Sequence, residues 1–353
     1  MQTLMQALSA SHGITDDGGP FIIAEMSGNH NQSLDRALAI VDAAAATGAH
    51  ALKIQTFTAD SMTLDLDEGE FSITDPKSLW AGRKLHDLYA EAMTPASWHK
   101  PIFDRAREKG ILCFSTPFSE DAVELLESLN APAYKVASFE AVDLPLIRCV
   151  AATGKPMIIS TGMASVTEIA EAVEAARSAG CTNLTLLKCT SSYPASPENT
   201  NLLTMPVIGV TFGCNVGLSD HTLGIGVAVA AVALGASVIE KHFIIDRSEG
   251  GVDSAFSLEP AEFTALVNET LRAAQSLGRV HFGGTASEQA GRKKRRSLYI
   301  GCDMKAGDVL TAQNLRRIRP GLGLPPKHFE ALLGRRLGRD AAKGTPMAWN
   351  LLD

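Results

Sequence analysis

The chain has no Cys-x-x-Cys pair: its six cysteines, at 113, 149, 181, 189, 214 and 302, follow no regular spacing. Three of them sit in strand-like runs, so reduced, buried thiols are expected rather than a disulfide framework. Basic charge is equally short. Thirty-two Lys and Arg against 39 Asp and Glu leave a net charge of −7, which argues against a nucleic-acid partner. The one basic run, Arg292-Lys-Lys-Arg-Arg296, reads as a solvated connector. No hydrophobic run is long enough to cross a bilayer; the longest, 226–239, is interrupted by glycine. Residues 1–20 lack the basic start and compact apolar block of a signal peptide. A cytoplasmic protein with no membrane or nucleic-acid partner is the expectation.

What the chain does have is a long alternation of two periods. Strand-like runs at 21–26, 51–57, 111–115, 133–137, 157–161, 184–189, 215–218 and 238–242 alternate with amphipathic stretches such as 33–47, 95–109, 119–129, 166–179 and 260–277. Gly48, Gly110, Gly154, Gly180 and Gly235 stand just before strands, where helix ends favour them. Eight βα units predict an α/β fold of the (β/α)8 TIM-barrel class over 21–280, after an N-terminal leader at 1–20. The stretch 199–212 contains Pro206 and reads as a short or broken helix. The segment 58–94 is too long for a simple connection, and helical periodicity from Leu79 to Tyr89 suits a cover over the open end. Residues 281–296 read as a linker and 297–353 as a small β-rich module. That module holds a weak repeat, Asp303 to Gly307 against Asp340 to Gly344.

Two late segments carry most of the chemistry. Gly217-Leu-Ser-Asp-His221 and Ile239-Glu-Lys-His242 each end a strand on histidine. Alternation puts Ser219 with His221 on one face, and Glu240 with His242 on one face. On neighbouring barrel strands, two neutral imidazoles make half a shell for a divalent metal, with positions left for water and substrate. Other strand ends supply Glu25, Lys53, Gln55, Ser115, Thr116, Lys135, Ser138, Glu140, Ser160, Thr161, Lys188, Thr190 and Ser191. Three lysines there, with hydroxyls from several strands, suit a small polyanion such as a phosphorylated carboxylate. The competing explanation is mutual Lys–Glu pairing within the mouth. A Schiff-base lysine would leave the paired histidines superfluous, and a metal-dependent hydrolase would leave the lysines unexplained.

These motifs resemble the sialic acid synthase family, the phosphoenolpyruvate-dependent synthases of nine-carbon sugar acids. The resemblance rests on Ala24-Glu-Met-Ser-Gly-Asn-His-Asn31, Lys53-Ile-Gln-Thr56, Ser115-Thr-Pro-Phe118, Tyr134-Lys-Val-Ala-Ser138, Ser160-Thr-Gly-Met163, Cys189-Thr-Ser-Ser-Tyr-Pro194, Gly217 to His221 and Glu240-Lys-His-Phe243. It continues through Arg319-Pro-Gly321 into a module that looks like an antifreeze-like (SAF) domain. Within the family the likeness is strongest to the branch that makes pseudaminic acid, through Asn29-His-Asn31, Asp60-Ser61 and the Leu79 to Tyr89 segment. N-acetylneuraminate synthases have Asn-His-x-Gly in the first motif, where Gln32 stands here, and asparagine at the position of Ser191.

The resemblance implies condensation of phosphoenolpyruvate with the open-chain aldehyde of an N-acyl amino sugar. His221 and His242 would hold Mn²⁺, or Mg²⁺ or Co²⁺ in its place. Lys53, Thr116, Lys135, Ser138, Ser160, Ser191 and Ser219 would bind phosphoenolpyruvate. Gln55, Tyr193 and Asp253 would face the sugar, Glu140 would also bind substrate, and Glu25 or Glu240 would orient or deprotonate an attacking water. Arg319 would reach in from the C-terminal module of a partner subunit, making a domain-swapped homodimer.

Overall fold

A computed structural model describes residues 3–12, 18–76 and 78–353. They divide into two units, Met1–Gly278 and Arg279–Asp353. In the first, eight parallel strands close into a barrel in sequence order. They are β1 (Phe21–Glu25), β2 (Ala51–Thr56), β3 (Leu112–Pro117), β4 (Tyr134–Val136), β5 (Met157–Ser160), β6 (Leu184–Cys189), β7 (Asn215–Asp220) and β8 (Val238–His242). β1 pairs with both β2 and β8, which seals the ring.

The strands read as continuous apolar runs because both their faces are covered. Phe21, Ile23, Ala51, Phe114, Ile158, Leu187 and Val238 fill the inside of the barrel. Their neighbours Ile22, Ala24, Leu52, Ile54, Ile159, Leu186 and Ile239 point the other way, into the core beneath the surrounding helices. Burying each large side chain is worth about 1.5–3 kcal/mol. Local chemistry sets the helix ends. Ser165 and Glu168 form a reciprocal capping box at the start of Val166–Ser178. Gly110 ends Ala96–Lys109 at φ 71°, in the left-handed region that only glycine enters without strain.

Three segments differ from their sequence patterns. Thr204–Phe212 is an intact helix, because Pro206 falls in its first turn, where no intrahelical N–H is needed. The cover segment is not helical from Leu79; its helix is Leu85–Ala92, preceded by turns that include Gly82 at φ 78°. Within residues 1–20, the helix Leu4–His12 buries Leu4, Met5 and Leu8 against the inner core, at the end where the strands begin. The floor of the barrel is therefore plugged.

In the second unit, β9 (Ser297–Ile300) and β10 (Leu315–Ile318) pair antiparallel over a core of Leu298, Ile300, Leu310, Leu315, Leu332, Leu337 and Met347. The repeat in its sequence is a reciprocal contact. The Asp303 carboxylate accepts from the Lys343 amide at 2.7 Å, and the Asp340 carboxylate accepts from the Ala306 amide at 3.0 Å. Met304 and Ala341 exchange both backbone hydrogen bonds between them. Residues 281–296 include a 3₁₀ helix, Ala286–Lys294.

Candidate active site

Strand alternation aims one set of side chains from every strand end into a common mouth. Continuing the inward positions gives Glu25, Lys53, Gln55, Thr116, Lys135, Ser160, Cys189, Ser219, His221, Glu240 and His242. A cavity of about 430 Å³ opens above them, lined by all of these but Thr116 and Ser160 and also by Ser27, Trp80, Leu85, Tyr89, Ser138, Glu140, Tyr193, Val252 and Asp253. Lys188 is not among them. The parity that turns Leu187 and Cys189 inward turns Lys188 outward, half-buried, where its Nζ donates to the Cys189 carbonyl at 2.8 Å. The expected three-lysine cluster is thus a two-lysine cluster.

Those two lysines are interleaved with two glutamates. Lys53 Nζ lies 2.5 Å from the Glu25 carboxylate and 3.8 Å from that of Glu240, and it donates to Thr116 Oγ1 at 3.0 Å. Lys135 Nζ lies 3.3 Å from Glu240, whose carboxylate also accepts from Ser219 Oγ at 3.1 Å. The two glutamates are pushed apart by their surroundings. Burial holds the Glu25 carboxyl above its ordinary range despite Lys53, with Glu240 adding to the effect. Burial acts the same way on Glu240, but Lys135 and Lys53 outweigh it and hold that carboxyl low. Glu25 is therefore the more readily protonated of the pair.

The histidine rings stand 5.3 Å apart between centroids, walled by Tyr193 on the His221 side and Phe256 on the His242 side. His221 Nδ1 lies 3.1 Å from the Thr190 carbonyl, an arrangement that makes Nδ1 the donor and leaves Nε2 a free lone pair. Burial and the neighbouring His221, Lys53 and Lys135 hold the His242 imidazole neutral, well below its ordinary value. Its Nδ1 is buried with no hydrogen-bond partner among the described residues. Burial works against protonation of His221, but the contacts with Cys189 and the Thr190 carbonyl outweigh it and hold that imidazole above its ordinary value. Losing that proton, His221 offers Nε2 beside the orphaned nitrogen of neutral His242, a pair of donors that fits a divalent ion. Among the described residues, the cluster with three donor groups close enough to share an ion is elsewhere: Asp65, His86 and Asp87 on the cover segment. It is largely exposed and already paired, Asp65 with Lys84, and His86 with Asp60 at 3.0 Å.

The hydroxyls converge over a bare backbone. The Gly162 amide donates to Ser138 Oγ at 3.1 Å, and a Cβ on Gly162 would collide with both Ser191 Oγ and Ser138 Oγ. Ser160 Oγ is buried without a partner among the described residues, as is Glu140 Oε2. On the rim, the Trp80 indole donates to the Val252 carbonyl at 3.1 Å, and its ring lies 6.1 Å from that of Tyr193. This bond ties the cover segment to the loop after β8. Buried Asp253 accepts from Ser27 Oγ and, at 3.4 Å, from the Gly28 amide. Gln55 Nε2 donates to Glu25 at 3.0 Å and to Ser27 Oγ at 3.1 Å. Arg319 belongs to the second unit, where it is exposed in a cleft of about 660 Å³ with Arg296, Arg316, Arg317 and Phe329.

The sequence profile of the NeuB family matches residues 40–282, and that of the SAF domain matches 295–353. The chain belongs to the NeuB family. Among its relatives, the pseudaminic acid synthase of Campylobacter jejuni (strain 81-176) is 43% identical over 324 residues, 92% of this chain and 94% of that protein. The pseudaminic acid synthase of Helicobacter pylori is 42% identical over 332 residues, 93% and 96% of the two chains. A crystal structure of N-acetylneuraminic acid synthetase from Leptospira borgpetersenii, in complex with citrate, superposes with a TM-score of 0.68 at 32% identity, over 78% of this chain and 90% of that one. Two residues of this NeuB-family mouth escaped the sequence reading. Ser27 had a signal in period two, lying two residues past Glu25, whereas Cys189 had none, because only packing shows that Leu187, two residues before it, points inward.

Proposed function

We infer that this chain condenses phosphoenolpyruvate with 2,4-diacetamido-2,4,6-trideoxy-β-L-altropyranose and water, giving pseudaminate and phosphate. The observation that carries the reading is its 42–43% identity, over more than nine-tenths of its length, to two pseudaminic acid synthases. The mouth supplies the parts such a reaction needs. Lys53 and Lys135, with Thr116, Ser138, Ser160, Ser191 and Ser219, hold the carboxylate and phosphate of phosphoenolpyruvate. Gln55, Glu140, Tyr193 and Asp253 face the sugar. When bound between His221 and His242, a divalent ion such as Mn²⁺ supplies Lewis acidity toward the aldehyde oxygen.

Carbon–carbon bond formation leaves positive character at C2 of the former enol phosphate, where water adds before phosphate departs by C–O cleavage. Glu25, whose carboxyl is held high and lies beside Lys53, takes the proton of that water, while Glu240 stays ionised and fixes both lysines. Apolar residues on the cover segment, Leu85 and Trp80 among them, give a deoxy C6 a contact that a hydroxymethyl group would not use. Arg319, supplied by a partner copy in a domain-swapped dimer, completes recognition of the N-acyl group, and the reaction belongs in the cytoplasm.

The test is phosphate release from phosphoenolpyruvate with three sugars: the diacetamido-trideoxy altrose, N-acetylmannosamine and the legionaminate precursor. The expected result is the highest kcat/KM for the first. An apolar pocket rejects an added hydroxyl only modestly, by about a hundredfold at most, so turnover of the others will be weak rather than nil. Faster use of N-acetylmannosamine would reassign the chain as a neuraminate synthase.

A further inference from the structure

Ser27 adopts φ 49°, in the left-handed region, although it carries a side chain. For an L-residue that conformation costs about 1–2 kcal/mol, and glycine would occupy it freely. A strained residue in a cavity wall is a reason to ask what its side chain does there. Ser27 is nearly buried, and its hydroxyl holds a junction. It donates to Asp253 Oδ2 and accepts from Gln55 Nε2 at 3.1 Å, while the same Gln55 nitrogen donates to Glu25 at 3.0 Å. One unbroken chain of side chains thus joins Asp253 on the rim to the Glu25–Lys53 pair in the depth of the mouth. Ser27 is the link between its two halves.

We propose that Ser27 is a positioning residue for the amino sugar, its hydroxyl fixing the orientation of Asp253 and coupling it through Gln55 to Glu25. The inference rests on the synthase reading above, in which Asp253 faces the sugar. By committing Oδ2 to Ser27 and the Gly28 amide, the contact leaves the other carboxylate oxygen to accept from an N–H or O–H of the substrate. The ligand class is a polyol or acylamino sugar that presents a donor at that point. Glycine at this position would relieve the backbone and lose the junction.

The experiment compares the unsubstituted chain with Ser27→Gly and Ser27→Ala, measuring KM for the sugar, KM for phosphoenolpyruvate, and the thermal midpoint. Both variants lose the hydroxyl, but only glycine releases the strain. The expected result is a sugar KM raised about tenfold in both, as for a lost hydrogen bond to a charged group, with phosphoenolpyruvate KM within about twofold. Ser27→Gly should melt above Ser27→Ala, so that the sugar defect follows the hydroxyl and not stability. An unchanged sugar KM in both variants, or a defect in Ala alone, overturns the assignment of Ser27. Equal increases for both substrates overturn it as well. No turnover in the unsubstituted chain with any of the three sugars overturns the synthase reading itself, and the sugar role with it.

Discussion

Asp220 and Lys241 form an ion pair at 2.6 Å, with neither side chain exposed by more than 1%. They face each other in register on the outer side of β7 and β8. The inner side of the same two strand ends carries Ser219, His221, Glu240 and His242. Lys241 also donates to the Thr222 carbonyl at 2.6 Å, and Asp220 Oδ1 accepts from the Thr222 amide and hydroxyl. The pair thereby clamps the backbone on either side of His221.

Breaking that pair on one side leaves a buried charge uncompensated. Asp220→Asn is expected to lower the unfolding free energy by about 3–5 kcal/mol, read from urea denaturation. Replacing both partners, as Asp220→Leu with Lys241→Met, should recover much of that loss, while the ordering of the histidine loop should not return. Equal stability of Asp220→Asn and the parent would remove the clamp from the account.

Removing the metal tests the two histidines. Dialysis against a chelator should abolish phosphate release, and Mn²⁺ should restore it. His221→Ala and His242→Ala should each lose turnover and bind less metal by elemental analysis, with circular dichroism unchanged, because both residues sit at the functional end of the barrel. Full turnover in a chelated, metal-free sample would refute this.

Lys135→Met separates the two substrates. The change keeps most of the aliphatic stem and deletes the charge that pairs with Glu240 and that the proposed function sets against the phosphorylated substrate. KM for phosphoenolpyruvate should rise roughly tenfold or more, with a smaller effect on the sugar. A concentration dependence on phosphoenolpyruvate identical to the parent's would take Lys135 out of the anion site.

His30 gives the fold a pH dependence of known sign. Burial pulls its imidazole down to about 4, and the ring packs edge-on to Trp98 with Nδ1 3.2 Å from the Gln32 amide. The folded state binds the proton less readily than the unfolded chain, so stability is present above about pH 6.5 and lost as pH falls toward 4. The loss amounts to about 3 kcal/mol over that window. Urea midpoints at several pH values should show the slope, and His30→Gln should lessen it, leaving the share of His99 and His242, which burial also lowers.

Much of this was legible in the chain. All eight strands lie where apolar runs stand between helical periods, because a barrel buries both strand faces and leaves no polar alternation to confuse the pattern. The two histidines were legible for the complementary reason: polar residues at period two have no business in a buried strand. Lys188 misled because an apolar run gives no clue to which face is inner, and only the packing of Leu187 beside Phe114 and Ile158 decides it. The cover segment misled differently. Leu79 to Tyr89 carries a helical period, but Gly82 breaks it, and Trp80 is held by one hydrogen bond to a carbonyl 172 residues away. Contacts that distant leave no trace in local spacing.

The plugged floor has a kinetic consequence. With Leu4, Met5 and Leu8 closing the far end, everything that enters the mouth leaves by it. The lysines lie at the bottom of that well, 2% and 6% exposed, while Trp80 and Val252 bridge its rim. A molecule seated on the lysines is beneath any molecule that touches the rim. With phosphoenolpyruvate on the lysines, as proposed above, that substrate enters before the sugar, and a sugar that arrives early blocks the way down. Excess sugar should inhibit the enzyme, and more phosphoenolpyruvate should relieve it.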